Sequence, residues 1–73
     1  MGVHRLKDLN LIYKSDRGAE FKSPGGTRYY FCRLRRAVGR EIAVKEYDWF
    51  PIDKNDLTTA KRKIMELINE DEV

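Results

Sequence analysis

Apolar side chains recur at two different periods along this chain, and each period predicts its own kind of secondary structure. In the N-terminal two thirds they tend to alternate with polar residues, as along residues 9–13, which is typical of a β-strand. In the last third they recur at the spacing of one helical face, through Leu57, Ala60, Ile64, Leu67 and Ile68. We therefore predict an α+β fold, in which a small antiparallel sheet of three to four strands packs against one C-terminal helix.

Turn-forming residues set the limits of the first predicted strands. Residues 16–18 (Asp-Arg-Gly) are predicted to be a turn, because aspartate can bond its own backbone and glycine tolerates a positive φ. A strand over residues 9–13 precedes this turn, and a short strand over residues 19–22 follows it. Residues 23–26 (Ser-Pro-Gly-Gly) form the strongest break in the chain.

Two longer strands are predicted next, over residues 27–36 and 41–50. Both are rich in aromatic and β-branched types, and Pro51 ends the second. A hairpin loop at residues 37–40 is predicted to join them, with Gly39 at a left-handed position. Candidate N-caps of the helix follow, at Asp53, Asn55 and Asp56.

The loop length of this hairpin decides which side chains share a face. A three-residue loop with Gly39 in a bulge is favoured because it segregates apolar from basic residues. It sets Leu34 opposite Val44 and Tyr29 opposite Trp49. One face is then aliphatic and is predicted to lie under the helix (Cys32, Leu34, Ile42 and Val44). The other face is aromatic and basic (Tyr29, Phe31, Arg33, Arg35, Lys45, Tyr47 and Trp49).

The aromatic and basic face is the candidate functional site. Aromatic rings can stack on nucleobases and guanidinium groups can pair with phosphate, so the hairpin is predicted to bind DNA or RNA. Arg36 and Arg40 flank the predicted loop, where they could contact the nucleic-acid backbone. The predicted nucleic-acid-binding residues are Tyr29, Phe31, Arg33, Arg35, Arg36, Arg40, Lys45, Tyr47 and Trp49.

Two alternatives to nucleic-acid binding remain open at the level of sequence. The four rings of this face could instead form a cross-strand ladder that is buried in the core or in a dimer seam. The same Tyr, Trp and Arg residues are also hot-spot types at protein interfaces, which leaves a protein–protein interaction module or an inhibitor.

Composition narrows the chemistry further. The chain has 73 residues, which is one domain (1–73), with residues 1–8 and 70–73 expected to be mobile. It contains one cysteine (Cys32) and one histidine (His4), so we expect no disulfide, no metal site, no cofactor and no catalytic role. A core this small supplies only about 3–5 kcal/mol. A homodimer is the remaining source of additional stability.

The single cysteine fits a reducing compartment, and no segment has the apolar length of a membrane span. We therefore expect a cytoplasmic protein without a membrane partner. Charge is distributed unevenly, since residues 1–40 contain ten Lys or Arg and three Asp or Glu, whereas residues 41–73 contain five and nine. This asymmetry favours a polyanion or an acidic partner for the N-terminal part, although two complementary halves of one fold would show the same pattern.

Overall fold

The computed structural model describes residues 9–71, which form one five-stranded sheet and one helix. Every neighbouring pair of strands is antiparallel, and the strands lie in the sheet in the order of the chain. The predicted α+β class is therefore confirmed, but the sheet has five strands and not three to four. The elements are β1 (Asn10–Ser15), β2 (Gly18–Lys22), β3 (Arg28–Cys32), β4 (Ala37–Ala43), β5 (Glu46–Pro51) and α1 (Leu57–Asp71).

The extra strand arises because residues 27–50 form three strands and not the predicted two. The turn after β3 comes early, at residues 33–36, where Arg36 has a φ of 53° and its amide donates to the carbonyl of Arg33. A second turn, at residues 44–45, places Lys45 at a φ of 62°. The predicted loop at residues 37–40 is instead part of β4, with Gly39 paired to Trp49.

This connectivity overturns the predicted register of the hairpin. Phe31 lies opposite Val38 and Tyr29 lies opposite Arg40, so neither ring faces β5 directly. The predicted aliphatic face does not lie under the helix. Leu34 is 93% exposed in the turn after β3, and Val44 is 84% exposed in the turn before β5.

Helix α1 covers one face of the sheet, packing against β3 and β4, and we call this side the helix face. It is built from rings and aliphatic side chains that are fully buried. Burying a side chain of this size contributes about 1.5–3 kcal/mol. The core side chains with the largest buried volume are Phe21, Tyr29, Phe31 and Val38 from the sheet and Ile64 and Ile68 from the helix.

The predicted helix and one of its predicted caps are confirmed. Asp56 is the N-cap, since its Oδ1 accepts a hydrogen bond from the Thr59 amide at 2.8 Å. This backbone hydrogen bond is the main reason that the pKa of the Asp56 carboxyl lies below its ordinary value. The helix continues to Asp71. The predictions for residues 1–8 and 72–73 lie outside the described range.

No helix within residues 9–71 combines the length and the apolar character that crossing a bilayer requires.

Candidate nucleic-acid interface

The side of the sheet opposite the helix, which we call the open face, carries a row of side chains that crosses all five strands. Tyr13 pairs with Glu20, Glu20 with Tyr30, Tyr30 with Gly39, and Gly39 with Trp49. Directly opposite residues of antiparallel strands project to the same side. Three rings, Tyr13, Tyr30 and Trp49, therefore share the open face from alternate strands, and we call them the ring row.

Gly39 determines how Trp49 lies on the sheet. A Cβ atom built on Gly39 would stand 2.9 Å from Cζ3 and 3.0 Å from Cε3 of Trp49. The six-membered ring of the indole therefore lies against the Gly39 backbone, in space that any side chain would fill. Glycine inside a strand commonly marks such a close approach.

Trp49 is surrounded by partners that suit ring stacking and cation recognition. The centroids of the Tyr30 and Trp49 rings are 6.4 Å apart in an edge-to-face arrangement, and those of Tyr47 and Trp49 are 5.5 Å apart. Arg35 reaches over from the turn after β3 and holds its guanidinium carbon 4.5 Å from the Trp49 centroid. This distance is well within cation–π range. The indole is half-buried by these contacts.

Charges of both signs lie around the rings of the open face. Arg28 Nη1 forms an ion pair with Glu20 Oε2 at 2.9 Å, so the acid within the row is compensated. Burial, followed by the negative charge of Glu41, raises the pKa of the Tyr47 hydroxyl. Tyr47 is therefore protonated at neutral pH and can donate a hydrogen bond.

Arginines gather at one end of the sheet, formed by the β1–β2 turn (residues 16–17) and the β3–β4 turn (residues 33–36), which we call the turn end. The two turns are joined, because the Arg33 amide donates to the Arg17 carbonyl at 2.9 Å. Arg17, Arg35 and Arg36 are exposed there.

At the turn end the open face also carries a row of small side chains. Cross-strand pairing places a row of small residues there, ending in a proline at β5 (Ser15, Gly18, Cys32, Ala37 and Pro51). A depression of about 470 Å³ lies beside this small-residue row, lined by residues that include Arg17, Tyr30 and Leu34.

The structure divides the predicted binding residues between the two faces. Tyr29 and Phe31 are fully buried on the helix face, because Phe31 pairs with Val38 and both rings belong to the core. Their predicted place beside Tyr47 and Trp49 is wrong, since β4 lies between β3 and β5. Only Tyr47 and Trp49 of the four predicted rings reach the open face.

The predicted cations are divided as well. Arg35 is the one that contacts the open-face rings. Arg33 is engaged structurally, because its Nη1 donates to the Asn55 carbonyl at 2.9 Å. Arg40 lies on the helix face, where it pairs with Asp48 at 3.0 Å. Arg36 is at the turn end and Lys45 is in the turn at the opposite end of the sheet.

Sequence reasoning missed Tyr13, Tyr30, Arg28 and Gly39. Alternation along the strand puts Tyr30 on the side of Cys32, which the predicted register turns toward the helix, whereas in the structure Tyr29 and Phe31 face the helix. The available signal was Gly39 itself, since a glycine between Val38 and Arg40 fits a strand position under a large ring as well as it fits a turn.

Among residues 9–71, no group of three or more His, Cys, Asp or Glu side chains is arranged to hold a metal ion. Comparison of the chain with protein-family models, with curated proteins and with solved structures found no match.

Proposed function

We propose that this protein is a small nucleic-acid-binding module that binds through the open face of its sheet. The observation that carries the proposal is the Trp49 indole, which lies half-buried on Gly39 with the Arg35 guanidinium 4.5 Å from its centroid. Tyr30 and Tyr47 extend this surface on either side. The proposed role is binding and not catalysis.

The energetics of stacking support this surface as the contact. A base that stacks on an aromatic side chain contributes about 1–3 kcal/mol. Trp49 has the largest ring of the chain, and its place against the Gly39 backbone limits the rotamer freedom that binding would otherwise remove. Arg35 supplies a planar cation that can stack on a base or pair with a phosphate.

The arrangement of charge supports a polyanionic partner at the turn end. Arg17, Arg35 and Arg36 are exposed there beside one acid of the same turns, Asp16, whereas toward the other end of the open face Lys22 and Arg28 are balanced by Glu20 and Glu41. The excess of positive charge at the turn end attracts phosphates. The single cysteine and the proposed ligand fit a cytoplasmic protein.

The proposal is tested by titrating the protein with oligonucleotides while the fluorescence of Trp49, the only tryptophan, is recorded. We expect quenching at low salt and an affinity that falls as salt rises, because bound counterions are released from the nucleic acid. Arg35→Ala should lower both the affinity and its salt dependence. Arg62→Ala, an exposed cation on the helix side, is the matched control and should leave both nearly unchanged.

Absence of salt-dependent binding to any oligonucleotide, single-stranded or duplex, would reject the proposal. Equal losses from Arg35→Ala and Arg62→Ala would also reject it, because binding would then follow net charge and not this surface.

A second candidate function is a protein-interaction module, and edge strand β1 favours it. Leu11, Ile12 and Tyr13 are 47%, 44% and 56% exposed on β1. An exposed apolar edge strand can pair with a strand of another chain, including a second copy. Light scattering across a dilution series separates the two candidates, because a dimer that forms without nucleic acid and is lost in Ile12→Lys favours this second function.

A further inference from the structure

The spacing of the ring row limits the kind of nucleic acid that it can accommodate. The ring centroids of Tyr30 and Trp49 are 6.4 Å apart and their planes are inclined by 72°, and Tyr13 lies two strands away from Tyr30. Stacked bases in a duplex follow one another at about 3.4 Å. Bases that occupied these rings would therefore have to be separated from one another, as they are in a single strand whose bases are splayed out.

The low relief of the open face points in the same direction. Proteins that read the major groove of duplex DNA with β-structure insert a projecting two-stranded ribbon into it. Here Trp49 lies down on Gly39, and the small-residue row beside it leaves a depression and not a ridge. The faces of the bases are covered inside a duplex, so these rings have nothing to stack on unless the bases are unpaired.

Charge then sets where the sugar–phosphate backbone runs. Arg17 lines the depression beside the small-residue row together with Arg33 and Asp16, Arg35 lies over Trp49, and Arg36 directly precedes Ala37 of the row. Toward the other end of the open face the cations Lys22 and Arg28 are balanced by the acids Glu20 and Glu41. A phosphate chain along the small-residue row would meet the arginines and would have room over the small side chains.

We propose that the ligand is a single-stranded nucleic acid that crosses the strands of the sheet. Its bases stack on Tyr13, on Tyr30 and on the Arg35 guanidinium that covers Trp49, and its phosphates follow the small-residue row at the turn end. This inference rests on the proposed function. It adds that the ligand is single-stranded, that it crosses the strands of the sheet, and that its phosphates lie toward the turn end.

The experiment compares three labelled probes with the full chain: an oligothymidine, an oligouridine and a DNA hairpin with the same number of phosphates. We expect both single strands to bind with Trp49 quenching and more tightly than the hairpin. Tyr30→Ala and Tyr13→Ala should each weaken single-strand binding by about 5- to 100-fold. Val44→Ala, which shortens an exposed apolar side chain in the turn at the opposite end of the sheet, is the control and should leave binding unchanged.

The proposed position of the phosphates is tested by removing positive charges at each end of the open face. Arg17→Ala and Arg36→Ala should each reduce the salt slope for single strands by about 0.7, which corresponds to one phosphate contact. Lys22→Ala, at the opposite end of the open face, should leave this slope unchanged.

The outcomes separate this inference from the proposed function. Tighter binding of the hairpin, with losses from Arg35→Ala, would overturn single-strand recognition and leave nucleic-acid binding in place. A larger change in the salt slope of binding from Lys22→Ala than from Arg17→Ala would overturn the proposed position of the phosphates. Failure of all three probes to bind would overturn both proposals. Circular dichroism of each variant confirms that the fold is retained.

Discussion

Two glycines of the open face, Gly18 and Gly39, are required for different physical reasons. A Cβ on Gly18 would stand 1.8 Å from the Phe31 carbonyl oxygen, and its φ of 154° is one that side chains rarely adopt. The three atoms nearest to a Cβ on Gly39 would all belong to the side-chain ring of Trp49. Gly18 allows β2 and β3 to pair, whereas Gly39 leaves the space in which the Trp49 ring lies.

Alanine substitutions at these glycines should therefore have different consequences. Gly18→Ala should lower the free energy of unfolding by about 3 kcal/mol or more, because backbone atoms must separate. Gly39→Ala should change it by about 1 kcal/mol or less, because the half-buried indole can move and alanine suits a strand better than glycine. Urea unfolding measures both changes, and the emission maximum of Trp49 should shift only in Gly39→Ala. Equal destabilisation by the two substitutions would contradict this assignment.

The N-cap of α1 leads to a prediction about pH. The Thr59 amide holds the folded-state pKa of Asp56 below 3.8, the ordinary value of the group. The charged cap therefore contributes stability that is complete above that ordinary pKa and is lost as the pH falls through the folded-state pKa. Asp56→Asn retains the acceptor without a titrating group, so it should lose less stability between pH 5 and pH 2 than the wild type.

The measurement is the urea midpoint at a series of pH values. Asp56→Ala is the comparison, and its midpoint should be lower than that of the wild type at pH 7 because the cap itself is removed. An identical acid response in the wild type and in Asp56→Asn would show that other carboxyls carry the effect.

At the scale of elements, the helix and the first hairpin follow directly from the sequence, but the central strands do not. The helix has a clear apolar period and a carboxylate cap at Asp56, and both are local signals. The two central turns are made without glycine, asparagine or aspartate at their left-handed positions, Arg36 and Lys45. Tertiary contacts with Asn55 and Ile52 hold the first of these turns, and neither turn carries at its left-handed position a residue type that marks a turn in the sequence.

The turn after β3 is held by the loop that precedes the helix. Asn55 Nδ2 donates to the Arg33 carbonyl at 3.0 Å, and Arg33 Nη1 donates to the Asn55 carbonyl at 2.9 Å. This reciprocal pair fastens the turn that carries Arg35. The position of the cation over Trp49 therefore depends on a residue that lies outside the open face.

Asn55→Ala removes one of these two hydrogen bonds and should lower the free energy of unfolding by about 0.5–1.5 kcal/mol. It should also weaken oligonucleotide binding, because Arg35 is held less firmly over Trp49. Asp53→Ala, an exposed change in the same loop, is the control. Urea unfolding and oligonucleotide titration provide the two readouts, and equal effects of the two substitutions on both would refute the coupling.

At the scale of the whole molecule, the aromatic residues are shared between two tasks. Phe21, Tyr29 and Phe31 fill the core under α1, while Tyr13, Tyr30, Tyr47 and Trp49 lie on the other side of the same sheet. Composition identified the chain as rich in rings and arginine. It could not assign each ring to a face, because the assignment depends on the pairing of β3, β4 and β5.

The helix face holds most of the stability, and this can be measured. Ile64→Ala should cost about 2–5 kcal/mol, because Ile64 is fully buried and a cavity remains. Since the total margin of a domain this small is about 3–5 kcal/mol, the variant should be largely unfolded. Ile64→Val should remain folded with a loss of about 0.5–1.5 kcal/mol. Arg62→Ala should change stability by less than about 0.5 kcal/mol, as measured by urea unfolding.

The order of the strands has a consequence for the kinetics of folding. Every pairing in the sheet joins strands that are consecutive in the chain, so each is a hairpin with a short closing loop. Local pairings of this kind close quickly, and we expect refolding within milliseconds despite the high strand content. An isolated hairpin is marginal in water, so the hairpins should persist only once the helix docks across β3 and β4. Docking of α1 onto the five-stranded sheet is then expected to be the step that stabilises the native state.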